Sequence, residues 1–551
     1  MTRATVLLID GHIHAFVSPA DIDIPALLGY TKEFQPYYAV PSTVHSLEHL
    51  PLTANGKIDK KALAMLAKSD VFTEKTQEVV VEKALYSEAS VDTRSLSSST
   101  TLTTSSMEGG KSLVRDIPDK RHGQPFRGLR HRIFIVYRRL FSIVWLANLA
   151  ALIALIVRQG GSQWLAILTA ANLVLCVMIR QDTVINILYT ITCSVPKTAP
   201  LWIRSRCAEI YHLGGIHSGA GIFATIWLYV STIFSTMDYL SGGSTSTPNS
   251  KALATLVLSW MLCVLCGILV GFAWPGFRKR YHNHFERIHR FVGWTTLIVF
   301  WIRLVLTVDG ERTKELGLAL AESPIFWMLI VASICIASSW LFLRRVPVEA
   351  EILSDHAVRL RFGYTTPVNG SFTRLSRRPL LEWHSFATIP NLESDGKGYS
   401  LIVSNAGDWT RHCIQRAPTQ LWVRGLPTCG VMRIATLFNR VVLIATGSGI
   451  GPVLGHINQP SCPTQLIWST PTPEATFGKE IVQSIRTNIP GAVIHDTRSQ
   501  GRPDLVRMGY NLAKNFGAEA VIIIANEKIT KKVVYGLQSR GMPAFGAIWD
   551  S

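Results

Sequence analysis

Charge is what this chain has little of: 17% of its residues are Asp, Glu, Lys or Arg, against 48% hydrophobic. A soluble domain carries about 25%, so the composition argues against a wholly soluble protein and for membrane-type parts beside soluble ones. Acidic side chains are the scarcer, 37 against 55 basic, and the formal charge is +18. Much of that excess sits between apolar runs, where anionic lipid head groups are a nearer partner than nucleic acid. The nine cysteines are scattered. The close pair, Cys263 and Cys266, falls inside an apolar run, so no disulfide framework is indicated. A cleavable signal is not expected either, because the apolar run Ala4–Ile9 is short and meets Asp10 at once.

What is present in quantity is long apolar runs. Leu140–Val157, Leu213–Phe234, Ala252–Trp274, Phe291–Val308 and Ile325–Leu343 approach or exceed the roughly 20 residues a helix needs to cross a bilayer. Trp164–Ile179 is shorter and is counted as a sixth. Arg138 and Arg139, then Lys197, Arg204 and Arg206, then Arg278 to Arg290, then Arg344 and Arg345 all fall on one side of such a six-span bundle. The positive-inside rule makes that side cytosolic, so the expected localisation is integral membrane, multi-pass, with both termini in the cytosol.

Five segments follow: a small α+β unit at 1–70, a Ser/Thr-rich linker at 71–132, the helical block at 133–345, a β-rich region at 346–435 and an α/β region at 436–551. In the first, Asn55-Gly56 predicts a turn that presents Lys57 before a helix starting near Asp59. The stretch Leu50 to Leu63, with Tyr37 to Pro41 upstream, resembles the last core motif of adenylate-forming enzymes, including adenylation domains of nonribosomal peptide synthetases. That resemblance implies that Lys57 occupies the position of the lysine that contacts the acyl-adenylate. It covers about 65 residues, and the large ATP-binding subdomain has no counterpart in this sequence.

In the helical block, His212 and His217 start the third run and His282, His284 and His289 precede the fifth. His217 and His289 are the pair placed to face inward from two parallel helices, as a bis-imidazole haem requires. Interfacial histidines bonded to loops or head groups are the alternative. The layout resembles ferric reductases and NADPH oxidases, whose haem helices carry two histidines about thirteen residues apart. Here the outer positions hold Val230 or Ser231 and Ile302 or Arg303, so at most one haem is expected. Arg303 has either a partner within the bundle or a route to the outer interface. Leu213 to Ser218 superficially resembles a carrier-protein serine motif, but glycines in an apolar run more often allow close helix packing.

Beyond Arg345 short strands at Glu349–Phe362, Leu380–Ile389, Tyr399–Val403 and Gln420–Val423 predict a small antiparallel barrel. Val441–Thr446 then leads into Gly447-Ser448-Gly449-Ile450-Gly451-Pro452 and a helix, and strands alternate with helices to the end, the pattern of a parallel sheet. Such a glycine turn lets backbone approach a pyrophosphate at a helix N-terminus. The order resembles the ferredoxin–NADP reductase superfamily as found in ferric reductases. The resemblance implies FAD contacts at His384, Ser385, Phe386 and Thr388 and at Thr410 in Gly407 to Thr410. It implies NAD(P)H contacts at Gly447, Ser448, Gly449, Gly451 and Pro452, with Arg498 or Arg502 on a ribose phosphate. One departure stands out: Ala525-Asn526-Glu527 replaces the Cys-Gly-Pro turn that positions the nicotinamide in ferric reductases. The C-terminal tail from Lys532 is similar to the fungal TmpA-like group of integral-membrane flavoproteins.

The reading is a membrane-bound flavoprotein that passes electrons from NAD(P)H through FAD to an unidentified acceptor, with catalytic residues unassigned. Two alternatives stand beside it: a catalytically degenerate scaffold, and a fragment of an adenylate-forming synthetase fusion.

Overall fold

The computed structural model describes residues 3–9, 12–34, 41–52, 58–67, 113, 115–121, 126, 128–129, 133–241, 250–391 and 398–547. It divides into two compact units, Met1–Thr104 and Ser105–Ser551. In the first, β1 (Arg3–Ile9) and β2 (His12–Ser18) pair antiparallel, and β3 (Thr43–Ser46) lies parallel to β2. Period-two alternation sends Ala15 and Val17 to one face, against Ile24 and Leu28 of α1 (Ile24–Phe34), and Phe16 to the other, against Leu63 of α2 (Lys60–Leu66). The Asp59 carboxylate accepts from the Ala62 amide at 3.1 Å and so caps α2. Lys57 and the segment Tyr37 to Val40 lie outside the described residues.

The second unit opens with helices: α3 (Val136–Val157), α4 (Ser162–Met178), α5 (Asp182–Cys193), the short α6 (Leu201–Cys207), α7 (Gly214–Leu240), α8 (Ser250–Phe272), α9 (Pro275–Arg280), α10 (His282–Glu311), α11 (Leu316–Glu322) and α12 (Pro324–Leu341). Five of these, α3, α7, α8, α10 and α12, are long and apolar enough to cross a membrane by length and composition. The sixth run behaves differently: α4 passes that test only together with α5, from which it is bent by 75°. Gly215 explains how closely α3 and α7 approach, since a Cβ there would lie 2.1 Å from the Tyr137 carbonyl oxygen. Beside it the Tyr137 hydroxyl donates to Ser218 at 2.7 Å, so the serine of the carrier-like string is a packing residue.

Next come two four-stranded antiparallel sheets, ordered β5-β6-β10-β9 and β4-β11-β7-β8. Their strands are β4 (Arg344–Pro347), β5 (Glu349–Ser354), β6 (Ala357–Phe362), β7 (Ser371–Ser376), β8 (His384–Ala387), β9 (Ile389–Pro390), β10 (Tyr399–Ser404) and β11 (Gln420–Cys429), and α13 (Asp408–Gln415) precedes the last. This corrects the expected barrel: each sheet keeps its edges, and two of those edges, β8 and β9, are only four and two residues long. The sheets instead enclose a core of Val358, Leu360, Leu375, Leu401, Leu421 and Val423 with Trp409.

The chain ends in a five-stranded parallel sheet ordered β14-β13-β12-β15-β16. Its parts are β12 (Val441–Thr446), α14 (Ile450–Asn458), β13 (Thr464–Thr470), α15 (Pro473–Phe477), α16 (Lys479–Asn488), β14 (Val493–Asp496), α17 (Leu505–Phe516), β15 (Ala520–Ile524), α18 (Glu527–Gln538) and β16 (Ala544–Gly546). Continuous apolar runs in β12 and β15 are buried on both faces, as central parallel strands must be.

Helices and C-terminal module are locked together by polar groups far apart in sequence. Arg204 of α6 forms a bidentate pair with Glu519, at 2.6 and 3.0 Å, and also donates to the Leu437 carbonyl. Asp182, at the start of α5, accepts from Arg374 of β7 and from the Thr428 hydroxyl at 3.0 Å. Arg424 lies over both Trp340 and Trp383, 5.6 and 5.3 Å from their ring centres.

Candidate functional site

In an open parallel sheet a ligand binds outside the carboxyl ends of the strands, where successive connections leave in opposite directions. Here the chain runs from β12 outward through β13 to β14, then returns past β12 to β15, so that point lies between β12 and β15. The glycine turn sits on it. Gly447 has φ +51, a left-handed conformation that costs a side-chain-bearing residue, and a Cβ there would meet nothing within 4 Å. Gly449 is the opposite case, since its Cβ would lie 2.2 Å from the Ile524 carbonyl oxygen at the end of β15. The Trp468 indole donates to the Gly447 carbonyl at 3.0 Å and fixes the turn from β13. Gly451 and Pro452 lie in the first turn of α14, and Ser448 is exposed in the connecting turn, where the Ile450 amide already donates to the Gly447 and Ser448 carbonyls.

Arg498 and Arg502 are exposed in the loop after β14, on the same carboxyl edge. Asp496 shapes that loop by accepting from the Thr472 and Arg498 amides at 2.9 and 2.8 Å. Sequence reasoning missed Thr470, whose hydroxyl at the end of β13 is buried with no hydrogen-bond partner. Its position as a polar strand-end residue on the carboxyl edge was the available signal. The turn after β15 is closed: Asn526 caps α18 by accepting from the Ile529 amide at 3.0 Å, and Glu527 pairs with Lys279 at 2.5 Å and Lys531 at 2.6 Å. Those two lysines hold the Glu527 carboxyl down to about 2.

The residues expected at a flavin divide into two groups. His384 and Phe386 share a face of β8 and stack on Trp409, with ring centres 4.5 and 5.6 Å away, and the Arg377 guanidinium lies 5.5 Å over the same indole. Burial lowers the pKa of His384 against the opposing pull of Glu382 and Glu286. Ser385 is exposed on the other face. Thr388 and Thr410 are used by the fold: Thr388 bonds Ser371 at 2.9 and 3.1 Å, and Thr410 accepts from the Ala406 and Gly407 amides at 2.8 and 3.0 Å.

The structure brings His217 and His289 together, with ring centres 6.2 Å apart. An iron between them, with bonds of about 2 Å and roughly 1 Å from each nitrogen to its ring centre, matches that separation. Metal-bound histidines almost always donate their second ring N–H. His217 Nδ1 does so, to the Cys176 carbonyl at 2.8 Å, whereas His289 Nδ1 is buried without a partner. The pair therefore fits one iron in spacing and only half in its supporting bonds. His212 stacks on Tyr211 away from this pair. At the outer positions Arg303 finds a partner inside the bundle, donating to Ser259 at 2.7 Å.

The C-terminal region is thus an open parallel α/β sheet with a glycine turn at its switch point. A family model described as adenylate-forming reductase 03009, C-terminal domain, matches residues 431–551. Over the whole chain the sequence is 41% identical to adenylate-forming reductase 03009 and 40% identical to adenylate-forming reductase 06235, both of Coprinopsis cinerea, covering 57% of each. The chain thus spans little more than half the length of these curated relatives. A 50-residue stretch is 54% identical to the hybrid PKS-NRPS synthetase TAS1 of Gloeophyllum trabeum, covering 9% of this chain and 3% of that one. Among solved structures, a ferredoxin NADP+ reductase from Neisseria gonorrhoeae with bound FAD and NADP is similar at 13% identity and TM-score 0.31, over 37% of this chain and 98% of that one.

These relatives correct the functional reading. Proteins similar over the whole chain are adenylate-forming reductases, so the ferric reductase-like, membrane-bound oxidoreductase gives way to the alternative of an adenylate-forming fusion. The membrane and ferric-reductase descriptions gain no support from those names, and a TmpA-like identity is not shown by them.

Proposed function

We propose that this chain is part of an adenylate-forming reductase, in which the first unit completes an adenylation domain and the C-terminal α/β module binds a nicotinamide nucleotide that reduces the activated acyl group. The observation that carries the reading is the glycine turn: open space over Gly447, at the switch point, with a helix N-terminus behind it. Its amides suit a pyrophosphate, and Thr470, Arg498 and Arg502 supply polar groups along the same edge. When bound, the nucleotide supplies hydride, and the protein contributes orientation and electrostatics. Any flavin contact falls on His384, Phe386 and Arg377 around Trp409, since the Thr388 and Thr410 hydroxyls are occupied.

Titrating the full chain with NADPH and following nucleotide fluorescence tests this. Gly447→Asp puts a carboxylate where the pyrophosphate would sit and is expected to weaken binding roughly tenfold or more, the scale of one lost charge-assisted bond. Unchanged affinity in that variant would remove the proposed site. For localisation we propose that α3, α7, α8, α10 and α12 lie in a bilayer, a reading supported by outward-facing Ile153, Ile226, Phe234, Val264 and Ile334. Release of the protein by an alkaline carbonate wash would refute it.

A further inference from the structure

The helices line a partly open cavity of about 870 Å³ that the reductase reading does not use. Its wall comes from the starts of α3, α7 and α10 and the ends of α4, α8 and α12, the half of the bundle joined to the C-terminal module. Phe141, Leu173, Leu269, Leu297, Phe300 and Ile336 make most of that wall apolar. The polar remainder is cationic in character: Arg138, Arg180, Arg278 and Arg290 line it with His217 and His289, and no Asp or Glu is among the described lining residues.

Arg290 is answered by Glu286 and by the Leu380 carbonyl. Arg180, at the bend between α4 and α5, has no carboxylate partner among the described residues, and Arg278 lies near it; Arg374, the other nearby cation, is held by Asp182. An arginine without a carboxylate at the edge of an apolar wall favours an anion, whose attraction is stronger there than in bulk water. The volume is within the roughly 300–1,000 Å³ range of small-molecule sites.

We propose that this cavity binds an amphipathic anion, an acyl or prenyl chain along the apolar wall with its carboxylate or phosphate at Arg180 and Arg278. The His217 ring, held by its Nδ1–H bond to the Cys176 carbonyl, stands beside that head group. This site goes beyond the reductase reading and does not depend on it.

The test uses the full chain in lipid nanodiscs with a dansyl-labelled long-chain acid and the matching alcohol as probes. The acid should bind roughly tenfold or more tighter than the alcohol, and Arg180→Gln or Arg278→Gln should remove that preference, as losing a charge-assisted bond would. Gly293→Trp should abolish binding of both, because a side chain at Gly293 enters open space beside the chain and meets no neighbour within 4 Å. Competition by phosphatidic acid but not by free palmitate assigns the head group to a membrane lipid, and the reverse assigns it to a free acid; either supports the proposal. Equal binding of acid and alcohol that survives all three substitutions would overturn it. So would stoichiometric uptake of haemin with a Soret band lost in both His217→Ala and His289→Ala, which would make the chamber a tetrapyrrole site.

Discussion

The parallel sheet and the helical block both hold continuous apolar runs and treat them in opposite ways. Val441 to Ala445 of β12 and Ala520 to Ile523 of β15 are fully buried by neighbouring strands and covering helices. Of the apolar stretches in the five long helices, only 11–33% of residues are buried inside the protein. Apolar runs mark both regions, but five to seven residues between turns find partners within the chain, whereas eighteen or more leave their outer faces for something else. Length, and not apolarity, separates a core strand from a candidate span.

The largest expected effect sharpens that contrast through one substitution made in both regions. Ile522→Ala empties a fully buried position in β15 and should cost about 2–5 kcal/mol, the range for large-to-small changes in a packed core. Ile153→Ala, on the 55% exposed outer face of α3, should leave unfolding of the detergent-solubilised protein almost unchanged. Comparable losses in a denaturant series would mean that the outer face of α3 is packed after all.

The second substitution addresses the seam between the two regions. Glu519→Gln removes the partner of the Arg204 guanidinium, whose side chain is 5% exposed, and should destabilise by roughly 3 kcal/mol because a buried charge is left unmatched. Limited proteolysis reads it out, with faster cleavage around α6 as the expected result. A smaller change tests the same seam from the backbone. Gly425 has φ +67, and a Cβ there would come 2.3 Å from an Asp182 carboxylate oxygen. Gly425→Ala should therefore cost about 2 kcal/mol from backbone strain and displacement of Asp182; a neutral result would show that this carboxylate moves aside freely.

How much of this was legible in the sequence follows the range of the signals. Strand and helix alternation after residue 436 is local, so β12, the glycine turn and α14 could be read from neighbours in the chain. Sheet closure is not local: strand lengths resembled a barrel's, and only the pairing shows two open sheets. The bend after α4 was visible as Arg180, Gln181 and Asp182, yet its consequence, an aspartate captured by Arg374 and Thr428, depends on residues 192 and 246 positions away. Thr388 and Thr410 looked like ligand hydroxyls by motif, and their internal partners, Ser371 in one case and the helix cap in the other, appear only in the fold. The relatives were foreshadowed by the segment around Lys57, the one motif that pointed to adenylation chemistry.

The smallest effect concerns pH and distinguishes the module from the helices by a group that belongs to the glycine-turn helix. His456, on α14, is 2% exposed, and its Nε2 is 2.9 Å from the Thr464 hydroxyl. Burial, with a smaller contribution from Lys197, lowers its pKa to about 4, so the folded protein holds the ring neutral while the unfolded chain titrates near 6.5. The unfolded state then binds more protons between those values. The histidine's contribution is present in full above about pH 6.5 and is lost as pH falls toward 4, which amounts to about 1 kcal/mol by pH 5.5. Urea denaturation read by hydrogen exchange of the buried β12 amides, beside this helix, should show that loss in the wild-type chain. His456→Gln keeps a polar group for Thr464 without a proton to gain, and its stability should change less over the same interval. If both proteins lose the same stability between pH 6.5 and 5.5, protonation of α14 does not govern the module, and the acid sensitivity belongs to other groups.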